Sequence, residues 1–240
     1  MRHPGVSADG KTLWGGGLLS LLKTQDTGYY FDVEISNGGG LQDVKIIPGN
    51  PDFAAVATAI ALGQIWIIYP KRIDPATGKP GVAELLFDLG PEARETTAIF
   101  SALTNDGKYM YVTYTTGNHV AALDISDLNN IRRLDDPNEA QPITGPHYFK
   151  ITPDGKQVVV TGYFVQTGDI GFLNTPSDYK AHYIDILDDG SLSFNRTIDF
   201  PSVFPERGGA RPHSTVVFDL TDPANRKYDS QADRNAPSGI

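Results

Sequence analysis

Cysteine is absent from all 240 residues, which removes several chemistries together. Disulfides, zinc–thiolate sites, iron–sulfur clusters and cysteine nucleophiles all need a thiol. The redox compartment stays open, because a cysteine-free chain is stable in either environment. Basic charge is also scarce: 20 Lys and Arg stand against 29 Asp and Glu, a formal net charge of −9. Nucleic-acid phosphates need a basic face, so such a partner is not expected, and clusters as short as Arg132-Arg133 do not reverse this. Long apolar runs are missing too. The longest, Phe53 to Tyr69, is interrupted by Gly63 and Gln64 and falls short of a membrane span. No secretory leader is legible, as Met1-Arg-His-Pro enters strand- and turn-forming sequence directly. The expectation is a soluble protein without membrane contact, cytoplasmic by default, and periplasmic or secreted if a segment precedes this stretch.

What is present is a repeated hairpin. The run Thr144 to Gly162 holds an extended apolar segment (Tyr148 to Ile151), an Asp154-Gly155 turn and a second strand (Gln157 to Thr161). Asp-Gly between two β-rich runs signals a hairpin, because Gly takes the positive φ that such turns demand. Two earlier copies are Gly5 to Trp14, around Asp9-Gly10, and Ser101 to Val112, around Asp106-Gly107. Asp106 and Asp154 lie 48 positions apart, and Asp9 precedes Asp106 by about twice that.

A unit of roughly 40–50 residues with four short strands is the signature of a β-propeller blade. Third strands are expected at Tyr29 to Val33, Val120 to Ile125 and Ala181 to Ile186. Fourth strands are expected at Asp43 to Ile47, Val82 to Leu89 and Leu192 to Phe200. The unit lacking Asp-Gly falls between Pro51 and Gly90, with Ala54 to Ile60 and Gln64 to Tyr69 as its inner strands. β-branched density and Gly63 favour strands there over a helix. The fold class is therefore all-β: a propeller of about four blades plus the strand fragment Thr215 to Leu220. Residues 1–224 form that domain, and 225–240 are a polar, disordered tail. Propellers close with four to eight blades, so the chain is either a small closed ring or the C-terminal part of a larger one. Inserts at Gly15 to Thr27 and Val165 to Tyr179 are long enough to be functional loops.

Three of the five histidines share one setting. His3 precedes Pro4, His147 follows Pro146 and His213 follows Pro212, each just ahead of an inner strand. Inner strands surround the propeller axis, so residues entering them gather at one mouth of the channel. Proline fixes φ on the approach and limits how far each imidazole wanders. Three convergent imidazoles with an open position suit copper, iron or zinc. Against that stands the bland reading of each as a solvent-facing or capped side chain. His119, in Gly117-Asn-His-Val120, is expected to face solvent. His182, alternating with Tyr183 in a strand, is expected to pack or hydrogen-bond there.

Other catalytic patterns are weak. Ser214 beside His213 is no triad, because neighbours in a strand point to opposite faces. Gly15-Gly16-Gly17 lacks the Lys-Ser/Thr of a phosphate loop. Asp9, Asp106 and Asp154 are turn residues first. Arg207-Gly-Gly-Ala-Arg211 is either a solvated loop or a guanidinium source beside His213.

The order Gly145-Pro-His-Tyr-Phe-Lys-Ile-Thr-Pro-Asp-Gly-Lys-Gln-Val-Val-Val-Thr, then Tyr183-Ile-Asp-Ile, Gly190-Ser-Leu-Ser-Phe-Asn, Asp199-Phe and Gly208-Gly-Ala-Arg-Pro-His213, resembles the C-terminal part of the selenium-binding protein and methanethiol oxidase family. Ser101 to Ser126 is similar to the preceding blade of those proteins, and His3 with Tyr30-Phe31-Asp32 to a more N-terminal one. The resemblance implies the C-terminal part of a propeller, often seven-bladed in that family, that binds copper through histidines and oxidises a small thiol, methanethiol, with O2 to formaldehyde, sulfide and peroxide. His213 matches the family's late metal-site histidine and His3 a mid-chain one, whereas His147 stands where other members often carry a different residue. With the shared Pro-His setting, the expected ligands are His3, His147 and His213, and Tyr148 and Arg211 are expected to orient substrate. The paired-histidine segment that family members carry near their N-termini is absent here, and the lack of cysteine excludes selenium held through a thiol. A non-catalytic propeller that binds a protein or small ligand is the rival reading. A lactonase-like propeller is a third, and would want channel-facing carboxylates around calcium.

Overall fold

The computed structural model describes residues 2–6, 12–16, 20–24, 30–33, 41–59, 62–88, 97–163, 177–207, 209–219 and 227–229; for those before 41, and for 207, 219 and 227–229, only the backbone is described. Four antiparallel sheets of four strands follow one another along the chain. Blade 1 comprises β1 (Arg2–Val6), β2 (Thr12–Gly16), β3 (Ser20–Thr24) and β4 (Tyr30–Val33). Blade 2 comprises β5 (Leu41–Ile46), β6 (Ala55–Ala59), β7 (Gln64–Ile73) and β8 (Pro80–Asp88). Blade 3 has β9 (Ala98–Leu103), β10 (Tyr109–Tyr114), β11 (His119–Asp124) and β12 (Arg132–Arg133). Blade 4 has β13 (Pro146–Ile151), β14 (Gln157–Gly162), β15 (Lys180–Ile186) and β16 (Leu192–Asp199). A short helix, α1 (Phe200–Val203), is capped by the Asp199 carboxylate, which accepts from the Ser202 N–H. The hairpin β17 (Val217–Asp219) and β18 (Lys227–Asp229) follows.

Each sheet packs face to face on the next, so middle strands are buried on both sides and read as unbroken apolar runs. Ile47, Val56, Ile65 and Ile67 of blade 2 mesh with Leu103, Met110, Val112 and Leu123 of blade 3. Tyr111, Val120 and Ala122 of blade 3 mesh with Phe149, Ile151, Val158 and Ile184 of blade 4. Burying each such aliphatic side chain contributes about 1.5–3 kcal/mol, which makes these two seams the principal source of stability. The inner strands run β1, β5, β9, β13, each beside the next, and among the described residues β1 does not pack along β13 as these consecutive strands do.

The Asp-Gly turns form as the sequence predicts, and in duplicate. In blade 4 the Thr152 N–H donates to the Gln157 carbonyl and the Gly155 N–H to the Thr152 carbonyl, with Gly155 at φ +72°. The Asp154 carboxylate accepts from the Thr152 hydroxyl (2.6 Å) and the Lys156 N–H (3.1 Å). Blade 3 repeats the pattern at Thr104, Asp106, Gly107 and Lys108. Its counterpart around Asp9-Gly10 lies outside the described residues.

Strand order departs from expectation in the first half. Tyr30–Val33 is a fourth strand, pairing with β3, not a third. The expected insert from Gly15 to Thr27 contains β3 itself, a short apolar segment hidden behind the glycine run. Asp43 to Ile47 is not a rim strand, because Leu41–Ile46 is the inner strand of blade 2. Its alternating charges resemble a half-exposed strand, yet Asp43 is wholly buried. Its carboxylate accepts from the Ser101 N–H and hydroxyl of blade 3 at 2.8 and 2.9 Å, and pairs with Lys45. The later strands and the fragment at 215–220 lie close to where the sequence put them. Lys227–Asp229, inside the stretch expected to be disordered, instead pairs with β17.

Candidate functional site

The inner strand of every blade carries a β-bulge at the same place. Two residues stand between the paired positions on the inner strand where one stands between them on its partner: Arg2/Gly5 against Gly16/Trp14, Leu41/Val44 against Ala59/Ala57, Ala98/Ser101 against Tyr114/Val112, and Pro146/Phe149 against Gly162/Val160. The extra residue bends the strand and re-aims its side chains. By register the first bulge position is His3 in blade 1, Gln42 in blade 2, Ile99 in blade 3 and His147 in blade 4.

A threonine stands opposite three of these bulges and performs one task in each. Thr58 accepts from the Asp43 N–H (3.2 Å) and donates to the Ile99 carbonyl of the next blade (3.1 Å). Thr113 accepts from the Phe100 N–H (3.0 Å) and donates to the His147 carbonyl (2.9 Å). Thr161 accepts from the Tyr148 N–H (3.3 Å) and donates to the His213 carbonyl (3.0 Å). His213 thus occupies, one blade further on, the place that His147 occupies in blade 4. In blade 1 the residue opposite the bulge is Gly15, which has no hydroxyl to offer.

This equivalence brings two imidazoles together. The Nε2 atoms of His147 and His213 are 3.1 Å apart and the rings stack at 5.0 Å with 24° between planes. His147 is 8% exposed, and Phe100 meets it edge-on at 4.8 Å. Tyr163 borders both, 4.7 Å from the His213 ring and 5.9 Å from that of His147. The entry to β13 is pinned on both sides. Thr115 donates to the Pro146 carbonyl (2.6 Å), the Gly145 N–H donates to the Asn118 side chain (2.9 Å) and the Tyr163 N–H to the Gly145 carbonyl (3.0 Å).

Two imidazole nitrogens each about 2.0–2.1 Å from one ion lie roughly 3 Å apart when they take adjacent coordination positions. The observed pair has that span, and two neutral imidazoles suit copper, iron or zinc. Without an ion, one ring donates N–H to the other. No cluster of three or more His, Cys, Asp or Glu suited to a metal occurs among the described residues. His3 holds the equivalent register position in blade 1, and its side chain lies outside the described residues.

The two expected substrate contacts lie further off. The Tyr148 ring packs edge-on against Phe100 at 5.0 Å, one ring removed from His147. Arg211 is exposed and its guanidinium lies 4.8 Å over the Tyr179 ring. The loop expected from Val165 to Tyr179 is described only from Ser177 onward. Sequence reasoning missed Tyr163 and the threonines. Antiparallel pairing is the signal that finds them, since it returns the end of β14 to the level at which β13 begins.

His119 does not face solvent. It opens β11 opposite Tyr114, and its Nε2 lies 2.7 Å from Asp135, which also pairs with Arg133 (2.7 Å). The segment carrying Asp135 and Gln141 folds back over it and supplies partners for the Val120 N–H and carbonyl. Burial pushes the Asp135 carboxyl up, but hydrogen bonds from His119, Arg133 and the Ala122 N–H outweigh it and hold the group below the ordinary carboxylate value. His182 is fully packed and hydrogen-bonded as expected, 2.8 Å from Asp178 and 3.3 Å from the Thr197 hydroxyl. Asp178 is likewise raised by burial and lowered further by His182 and the Thr144 N–H.

No protein-family description matches this chain, and no curated protein does. Solved structures do. The periplasmic gluconolactonase of Pseudomonas aeruginosa aligns with a TM-score of 0.59 at 16% identity, covering 82% of this chain and 53% of its own. The Cps50 (Swd1) β-propeller domain of Myceliophthora thermophila gives 0.56 at 15% identity, covering 82% and 57%. A protein from Lactobacillus plantarum gives 0.58 at 11% identity, covering 95% and 70%. The chain is a β-propeller by fold, and spans little more than half the length of the first two structures. At such identities the likeness concerns the fold alone. No helix among the described residues is long and apolar enough to cross a membrane.

Proposed function

We propose that this chain carries a metal-dependent oxidase site of methanethiol-oxidase type, which oxidises a small thiol with O2. The carrying observation is the 3.1 Å separation of the His147 and His213 Nε2 atoms, contributed by equivalent positions of successive blades. The resemblance of residues 100–213 to the selenium-binding protein and methanethiol oxidase family names the metal, copper, and the substrate class. His147 and His213 would hold the ion, with His3 a third ligand from blade 1. When bound, copper would draw thiol sulfur toward the thiolate form and accept electrons on their way to O2. The balanced conversion takes methanethiol, O2 and water to formaldehyde, hydrogen sulfide and hydrogen peroxide. Beside the ion, the Phe100 and Tyr163 rings would offer apolar surface to a methyl group, while the exposed His213 side leaves the site open to substrate and O2. Tyr148 and Arg211 are the further groups assigned to orient substrate.

Copper quantified in the purified protein beside His213→Ala tests the assignment. The wild type is expected to retain copper and consume O2 with methanethiol, and the variant to lose both. Equal copper in the two proteins would rule His213 out. Copper retention without thiol-dependent O2 uptake would favour a non-catalytic binding propeller.

A further inference from the structure

The separation of the two imidazoles is not fixed by their own side chains alone. His147 and His213 are 66 positions apart, in different blades, and one hydroxyl joins their backbones. Thr161 Oγ1 accepts the N–H of Tyr148, the residue after His147, and donates to the carbonyl of His213. We propose that Thr161 is a positioning residue that sets the His147–His213 separation and so tunes the affinity of the pair for a transition-metal ion. The inference rests on the metal reading of that pair. Groups that orient metal ligands from behind commonly alter affinity by 10–100-fold when removed.

The propeller supplies its own graded controls. Thr161 ties together both histidine-bearing segments. Thr113 makes the same two bonds one blade earlier but holds only one of them, through the His147 carbonyl, and Thr115 shares that duty at Pro146. Thr58 makes the two bonds a blade earlier still, where the tethered residue is Ile99 and no imidazole is involved. All three threonines are buried, so their removal disturbs the fold in like manner. Only their relation to the imidazoles differs.

Cu(II) titrated into the full chain against a competing chelator, followed by electron paramagnetic resonance, separates these roles. Thr161→Val is expected to weaken Cu(II) binding about tenfold and to change the spectrum, Thr113→Val about threefold, and Thr58→Val not at all. Melting temperatures should fall by similar amounts in all three. Thr161→Ser, which keeps the hydroxyl, should restore both affinity and spectrum, and it serves as the comparison if Thr161→Val fails to fold. Should Thr161→Val bind Cu(II) as Thr58→Val does, or Thr161→Ser bind tenfold more weakly than wild type, the positioning role is wrong although the site stands. Should His213→Ala bind as wild type does, the site reading fails, and the inference with it.

Discussion

In blade 2 the two bulge residues are Gln42 and Asp43; in blade 4 they are His147 and Tyr148. The backbone is the same in both, with a threonine opposite the bulge that reaches to the following blade. Blade 2 uses its bulge to bury a carboxylate that is satisfied by Ser101 of blade 3 and by Lys45. Blade 4 uses its bulge to set an imidazole 3.1 Å from another. A repeated scaffold thus separates two jobs that share a geometry. Where every polar atom finds a partner within the protein the bulge is a strut, and where two nitrogens face each other it is a candidate site. The lesson is that equivalence between blades brings distant side chains together, and the residue type at the bulge decides between strut and candidate site.

The strongest way to break this comparison is Asp43→Ala. It strands the buried Ser101 N–H and hydroxyl and leaves the partly buried Lys45 ammonium unpaired, and should cost about 3–5 kcal/mol in urea unfolding. A loss below about 1 kcal/mol would mean that the strut carries nothing. Next come the twin turns of blades 3 and 4. A Cβ at Gly155 meets nothing within 4 Å, so Gly155→Ala should cost only the left-handed backbone, about 1 kcal/mol. At Gly107 the same atom would stand 2.9 Å from the Pro48 carbonyl oxygen of blade 2, so Gly107→Ala should cost about 2–3 kcal/mol. Equal melting temperatures would show that this turn does not bear on its neighbour.

The smallest effect is a dependence on pH. The Asp135 carboxyl is depressed in the folded state, so its contribution is present in full above the unfolded value of about 3.9. It is lost as pH falls through the lower folded value. Asp135→Asn should therefore flatten the decline in stability below about pH 4 while leaving the contribution of Asp178 in place. Thermal melts across that range read the slope, and an unchanged slope would remove Asp135 from the account.

How much was legible in advance differed between the halves of the chain. From residue 98 onward the sequence placed strands and turns well, because Thr-x-Asp-Gly-Lys closes a hairpin through bonds that span only a few residues. Blade 1 and the entry to blade 2 were misordered. A strand at Leu41–Ile46 with Asp43 and Lys45 looks solvent-facing until one knows that it borders the axis, where a neighbouring blade satisfies its charges. His119 was misread for a related reason, as Asp135 lies 16 positions away and is carried back over it by a loop without periodic signal.

Residue order alone settled an acidic, cysteine-free, all-β chain of repeated four-stranded units with Pro-His steps at their inner edges. Each of these is a property of composition or of groups within about ten positions of one another, where chain geometry leaves few choices. Which strand lies innermost, which carbonyl each threonine reaches, and that His147 meets His213 were settled by packing between sheets. Those relations join residues from 34 to 66 positions apart, and the sequence between them places no direct limit on such distances.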